Sequence, residues 1–119
     1  MKRGDIYIAN LVPRSGSEQK GKRPVIIVSN DGFNLTPNWR SVIVVPISTS
    51  VAQSKRGPTA IALPKGTGGL RNASIALCHQ VTTLDRAKLT KRLGSIPKDL
   101  LQSVESGLLA ALDLVYFQH

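Results

Sequence analysis

Cysteine is nearly missing from this chain: Cys78 is the single one in 119 residues. No intrachain disulfide and no cysteine zinc cluster can form, which fits a reducing cytoplasm. Histidine is also scarce, and His79 and His119 cannot by themselves build a metal site. No paired carboxylate motif compensates, so any chemistry is expected to run without a metal or other cofactor. Acidic residues are few, 7 against 16 Lys and Arg. There are five aromatics (Tyr7, Phe33, Trp39, Tyr116 and Phe117), too few for an aromatic platform that stacks successive bases. Long apolar runs are lacking as well, which speaks against a membrane span. The opening MKRGDIYIAN has Asp5 after its basic pair and too brief an apolar stretch for a signal peptide, so it is taken as mature sequence.

What the chain does have is positive charge, a formal +9. Such an excess favours polyanionic partners through steering and counterion release, nucleic acid first and an acidic protein segment second. The length suits a single domain, residues 1–119, with one core.

Short β-branched runs dominate the pattern. Residues 6–9 (IYIA) predict a first strand with Ile6 and Ile8 on one face and Tyr7 on the other. Residues 25–28 (VIIV), bounded by Pro24 and a Ser-Asn-Asp-Gly turn, have the pattern of a strand buried on both faces. Phe33, Leu35 and Trp39 are read as packing anchors in the connection that follows. Residues 41–47 (SVIVVPI) predict a third strand whose Pro46 marks an edge or bulge. A fourth is expected over 59–63. In a fifth run, SIALCHQVTTL from Ser74, Ile75, Leu77, His79 and Val81 share one parity and Ser74, Ala76, Cys78 and Gln80 the other. Residues 85–93 suit a short helical or extended edge segment, and Gly94-Ser95 a break.

From Ile96 or Pro97 to about Tyr116, apolar residues recur at helical spacing. Gly107 in the middle of that helix costs about 1 kcal/mol relative to Ala, which suggests close packing at that point. Cys78 is expected to be a buried small hydrophobe. Together these elements predict a mostly β fold: a small antiparallel barrel or bent sheet of five or more strands with one long C-terminal helix.

The stretch GSEQKGKRPVIIVSN (residues 16–30) is where the pattern first points to a site. Pro24 biases Arg23 toward extended backbone, so Arg23 is expected at the mouth of a strand with its guanidinium aimed. Beside it runs a polar loop carrying Glu18, Gln19, Lys20 and Lys22, an arrangement suited to an anionic ligand such as phosphate. A solvated surface loop is the plain alternative.

Four blocks, RGDIY (3–7), GSEQKGKRPVIIVSN (16–30), VVPIST (44–49) and HQVTTLD (79–85), together resemble the MazF/PemK (Kid) family of toxin endoribonucleases. The resemblance runs from about residue 3 into the final helix. It implies an SH3-like barrel with an appended helix, assembled as a homodimer whose grooves bind RNA. It also implies cleavage of single-stranded mRNA at short sequences, growth inhibition, and silencing by a cognate antitoxin with an acidic, partly disordered tail. CcdB-like toxins share that fold but poison gyrase without catalysis; they resemble a chain ending in Trp-Gly-Ile, where this one has Tyr116-Phe117-Gln118-His119. An inactive RNA-binding module is the remaining alternative.

Metal-free RNA cleavage uses the neighbouring 2′-OH as nucleophile. One group must accept that proton, another must protonate the 5′-oxygen, and a third must stabilise a charge-rich phosphorane. Arg23 suits the last role, because its high pKa makes it a poor base. In MazF-like members a threonine follows the apolar residue matching Ile47; Ser48 stands there, with Thr49 next, so either hydroxyl is a candidate. By this resemblance His79 occupies the place of an acidic residue that serves the Kid branch as base, while Leu77 stands where that branch has an arginine. Ser74 and Gln80 match base-contacting positions. Glu18 and Gln19 belong to the loop block, with Lys22 and Asn30 also counted as RNA contacts. Lys55, Arg56 and Arg71 are phosphate-contact candidates, with solvated surface charge as the equal alternative.

Overall fold

The structure, a computed structural model, describes residues 1–11, 21–50 and 57–114. Its centre is built from the two runs richest in Val and Ile, β2 (Gly21–Ile27) and β3 (Ser41–Ser48). Around them lie β1 (Asp5–Leu11), β4 (Ala60–Leu63), β5 (Ser74–Leu77), β6 (Thr82–Asp85) and β7 (Leu89–Ser95). Every pairing is antiparallel, in the order β4-β5-β3-β2-β1-β7, with β6 also on β3. A single helical turn, α1 (Asp31–Asn34), follows β2, and α2 (Lys98–Leu112) ends the described chain.

Alternation along the central strands divides the buried side chains into two sets. Ile6, Ile26, Val45 and Ile47 join Ala76, Cys78 and Val104 under α2. Ala9, Val25, Ile27, Val42 and Val44 fill the opposite face, with Tyr7, Leu84 and Leu89 against them. Val25, Ile26 and Ile27 are all fully buried, so β2 is covered on both sides as its pattern required.

The sheet bends at β3. This strand pairs with β6 through Val44 and with β5 from Ile47, so the stretch Leu77–Val81 spans only Val45 and Pro46. That excess of chain coils into a 3-10 turn, Cys78–Gln80. Pro46, with no N–H to offer a ladder, falls in the gap between the two pairings.

The Arg3-Gly4-Asp5 segment clasps this frame together. Arg3 donates its backbone N–H to Asp31 Oδ1 (2.7 Å) and its Nε to the Val28 carbonyl (3.1 Å), and its guanidinium meets Glu105 of α2 at 2.7 Å. Gly4, at φ +94°, donates to the Ile27 carbonyl, while its own carbonyl accepts from Ile96. Burial alone would raise the Asp5 carboxyl, but hydrogen bonds from the Lys2 N–H, the Ser95 hydroxyl and Arg92 outweigh it and hold the group below the usual range. The Arg3 N–H, followed by Asn34, lowers Asp31 likewise.

Both folded-state values lie below the unfolded ones, so the stabilisation is complete above the unfolded carboxylate pKa and is lost as pH falls through the folded values. Melting temperature is therefore expected to drop below about pH 4. Asp5→Ala should cost about 1–3 kcal/mol at pH 7 and flatten that acid limb.

Several elements differ from the sequence pattern. β2 starts at Gly21, so Arg23 lies inside the strand instead of at its mouth. Phe33, Leu35 and Trp39 are exposed rather than packed inward, and Phe33 stacks on Trp39 with ring centroids 4.8 Å apart. Residues 89–95 form a full strand on β1, with Gly94 and Ser95 inside it opposite Ile6 and Asp5. The helix begins at Lys98 after Pro97 and ends at Leu112, where Asp113 adopts the left-handed conformation. Leu112 is exposed.

Candidate active site

The register aligns the central candidates on one rung of the sheet. Arg23 pairs with Ala9, which pairs with Leu89 of β7. On the other side Val25–Pro46 is the last pair of β2 with β3, and that register carried two residues further puts Arg23 on the same rung as Ser48. Ser48 pairs in turn with Ile75, and Ile75 with Ala62. Arg23 has the parity of Val25 and Ile27, and Ser48 that of Val42 and Val44, so both project from the face away from α2. A cation and a hydroxyl thus share one face at the same end of adjacent strands, just past the last pair that joins them.

Each is held in place locally. Pro24 pairs with Ile8 inside β2, and its ring narrows the backbone freedom of the Arg23 before it. The Arg23 side chain is exposed. Ser48 is 7% exposed, and its Oγ accepts the Ser50 N–H at 3.1 Å. That bond caps the strand end and leaves the hydroxyl proton to donate. Thr49, one residue on, is exposed.

Three further cations gather at this end of the sheet, where β2 starts, β3 and β4 finish and β5 begins. Lys22 pairs with Asn10, Lys65 lies just past β4, and Arg71 lies just ahead of β5, all exposed. Lys22 takes the opposite parity to Arg23, so it projects from the other face.

Other candidates are placed elsewhere. His79 and Gln80, both half-buried, lie on the turn after β5, at the far end of that strand from Ser74. The Thr59 hydroxyl, ahead of β4, is 3.5 Å from His79 Nδ1. The turn breaks the parity shared by Ile75 and His79, so His79 is not carried into the core with the strand. Cys78 is buried beside Val104, and burial pushes its thiol up to about 11, the inert state expected of it.

Two expected RNA contacts are corrected. Ser74 is 4% exposed on the core side, where its hydroxyl donates to the Asn72 carbonyl; Ala76 and Cys78 share that buried side. The solvent-accessible position on β5 is Ile75, because the small residues are the ones that fit beneath α2. Asn30 caps α1 by accepting the Gly32 N–H at 2.7 Å, beyond the end of β2 opposite Arg23. Glu18, Gln19, Lys55 and Arg56 lie outside the described residues. Neither Ile75 nor Thr59 was singled out from the sequence; the turn that brings His79 to Thr59 has no local Gly or Pro to announce it.

Fold and site together define a small bent-sheet protein that carries a cation and a hydroxyl on adjacent central strands. The chain belongs to the family described as PemK-like, MazF-like toxin of type II toxin-antitoxin systems, whose model matches residues 2–112. It is 33% identical over 118 residues to endoribonuclease EndoA of Bacillus subtilis (strain 168), covering 98% of each chain. It is 36% identical over 120 residues to endoribonuclease MazF of Staphylococcus epidermidis, covering all of this chain and 97% of that one. Among solved structures, MazF from Deinococcus radiodurans superposes with a TM-score of 0.77 at 24% identity, over 96% of this chain and 97% of that one. A mycobacterial endoribonuclease in complex with its cognate antitoxin gives 0.76 at 24%, over 96% of each. These confirm the mostly β fold with its C-terminal helix. Among the described residues no helix is long and apolar enough to cross a membrane.

Proposed function

We propose that this chain is the toxin of a type II toxin-antitoxin pair, a cytoplasmic homodimeric endoribonuclease that cleaves single-stranded mRNA at short sequences without a metal. The observation that carries this reading is the rung on which Arg23 and Ser48 stand level on one face. Full-length relatives named as endoribonucleases support it.

The scissile phosphate lies against Arg23, whose planar fork offers several donors to the non-bridging oxygens and stabilises the phosphorane as charge accumulates. The Ser48 hydroxyl donates to the same group from the neighbouring strand. His79 is the candidate for proton transfer, since an imidazole suits exchange near neutral pH; it lies on the turn past the end of β5 with Nδ1 beside Thr59, so this role requires the turn to approach the bound RNA. Lys65 and Arg71 draw the backbone toward this end of the sheet. The surface charge of +9 also suits an acidic, partly disordered antitoxin segment as the silencing partner.

The purified protein is expected to cut a long single-stranded RNA in excess EDTA, leaving a 2′,3′-cyclic phosphate or 3′-phosphate. Cleavage only on addition of a divalent metal, or 5′-phosphate products, would count against the reading. The hydroxyls differ in placement, so Ser48→Ala should lower kcat by about tenfold or more while Thr49→Ala changes it less. Paired rate measurements check this; the reverse order would move the hydroxyl role to Thr49.

A further inference from the structure

Next to Ser48 the sheet presents an apolar step. Ile75 is level with Ser48 on β5 and half-exposed, and Ala62 is level with Ile75 on β4 and exposed. Their neighbours Ile61 and Ala76 have the opposite parity and pack toward α2. The face that carries Arg23 and Ser48 therefore continues as Ile75 and then Ala62, at cross-strand spacing of about 5 Å per step. A β-branched side chain is stiff at χ1, so Ile75 forms a fixed wall and Ala62 a low floor beside it.

We infer that Ile75, with Ala62 at its foot, is a specificity-determining contact that seats a nucleobase next to the scissile phosphate. This rests on the reading of the Arg23–Ser48 rung as the phosphate site. A phosphodiester held between Arg23 and Ser48 must direct one flanking nucleotide outward across β5, because β2 and β1 occupy the other side. The ring face of that base meets the Ile75 methyls, and the small Ala62 leaves it room to lie flat. Cations at this end of the sheet engage the backbone, so the apolar step is free to act on the base alone. Shape, not hydrogen bonding, is then what this position reads, and it distinguishes large from small bases modestly.

The test compares two nearly isosteric variants, Ile75→Val and Ile75→Thr, in the full-length protein. Cleavage ends from a long RNA are sequenced, and kcat/KM is measured on oligonucleotides that differ in one base beside the cut. The Val variant should keep the wild-type base preference. The Thr variant places a hydroxyl against the base, and should lower kcat/KM at the preferred site by about tenfold with a contracted ratio between best and worst bases. Ala62→Leu, which fills the floor from an exposed position, should shift the preference toward smaller bases. If wild type cleaves RNA and all three variants keep its base profile and rates, the inference is wrong. If wild type shows no cleavage, the catalytic reading itself has failed.

Discussion

Arg23→Ala is expected to abolish RNA cleavage while leaving RNA binding measurable. The loss should be about a thousandfold or more in kcat, the scale of removing a pre-positioned donor to a developing oxyanion together with its charge. Two structural facts shape this expectation. Arg23 is exposed, so its removal opens no cavity and should shift stability by no more than about 0.5 kcal/mol. Lys65 and Arg71 remain to hold the phosphate backbone, so affinity should weaken modestly and keep its salt dependence. Arg23→Lys sharpens the comparison: it restores the charge but not the planar fork, and should recover only part of the rate. Single-turnover kinetics with a separate binding measurement on the same RNA separate these effects. Persistent cleavage by Arg23→Ala would remove Arg23 from the site.

Gly107→Ala should destabilise the fold despite placing a better helix former in α2. An added Cβ there would lie 2.6 Å from Cys78 Sγ, 3.1 Å from Ile61 Cγ1 and 3.2 Å from Cys78 Cβ. Cys78 is fully buried on the tight turn that bends the sheet, so it has little room to withdraw. Overpacking of this kind costs about 1–3 kcal/mol. The helix-propensity gain of Ala over Gly, about 1 kcal/mol, offsets part of it. A fall of several degrees in melting temperature is expected, at roughly 4–8 °C per kcal/mol for a chain near this size. Adding Cys78→Ala removes the sulfur atom and should recover much of the loss, giving a favourable coupling in a double-mutant cycle. A Gly107→Ala protein more stable than wild type would mean that α2 stands further from the Cys78 turn.

Local chemistry made some of this legible in advance. The double-sided burial of Val25–Ile27, the break in pairing beside Pro46 and the tight seat of Gly107 each follow from residue type and immediate neighbours. Arg23 could be picked out because a proline and a buried run flank it. What escaped was non-local. Parity along residues 74–84 holds only while the chain stays extended, and the turn at Cys78–Gln80 is imposed by β3, which pairs on either side of it. That one turn moves His79 off the strand, while the pairing of β5 with β4 puts Ser74 on the side of Leu63 and Ala76 under α2 and Ile75 on the other. Asn30, counted among the RNA contacts, is an exposed residue whose side chain caps α1, a role that an Asn in a turn fills equally well. The exposed Phe33–Trp39 pair shows the same limit, since hydrophobicity alone does not say which aromatic residues a short connection can turn inward.

The chemistry assigned to the Arg23–Ser48 rung depends on the substrate's own 2′-OH. Once a cleavage site has been mapped in a defined RNA, the direct measurement is the cutting rate on an otherwise identical oligonucleotide with a single 2′-deoxy substitution on the nucleotide 5′ to the scissile phosphate. Cleavage at that position should disappear while binding is retained. Continued cutting there would contradict 2′-OH attack and the role given to Arg23.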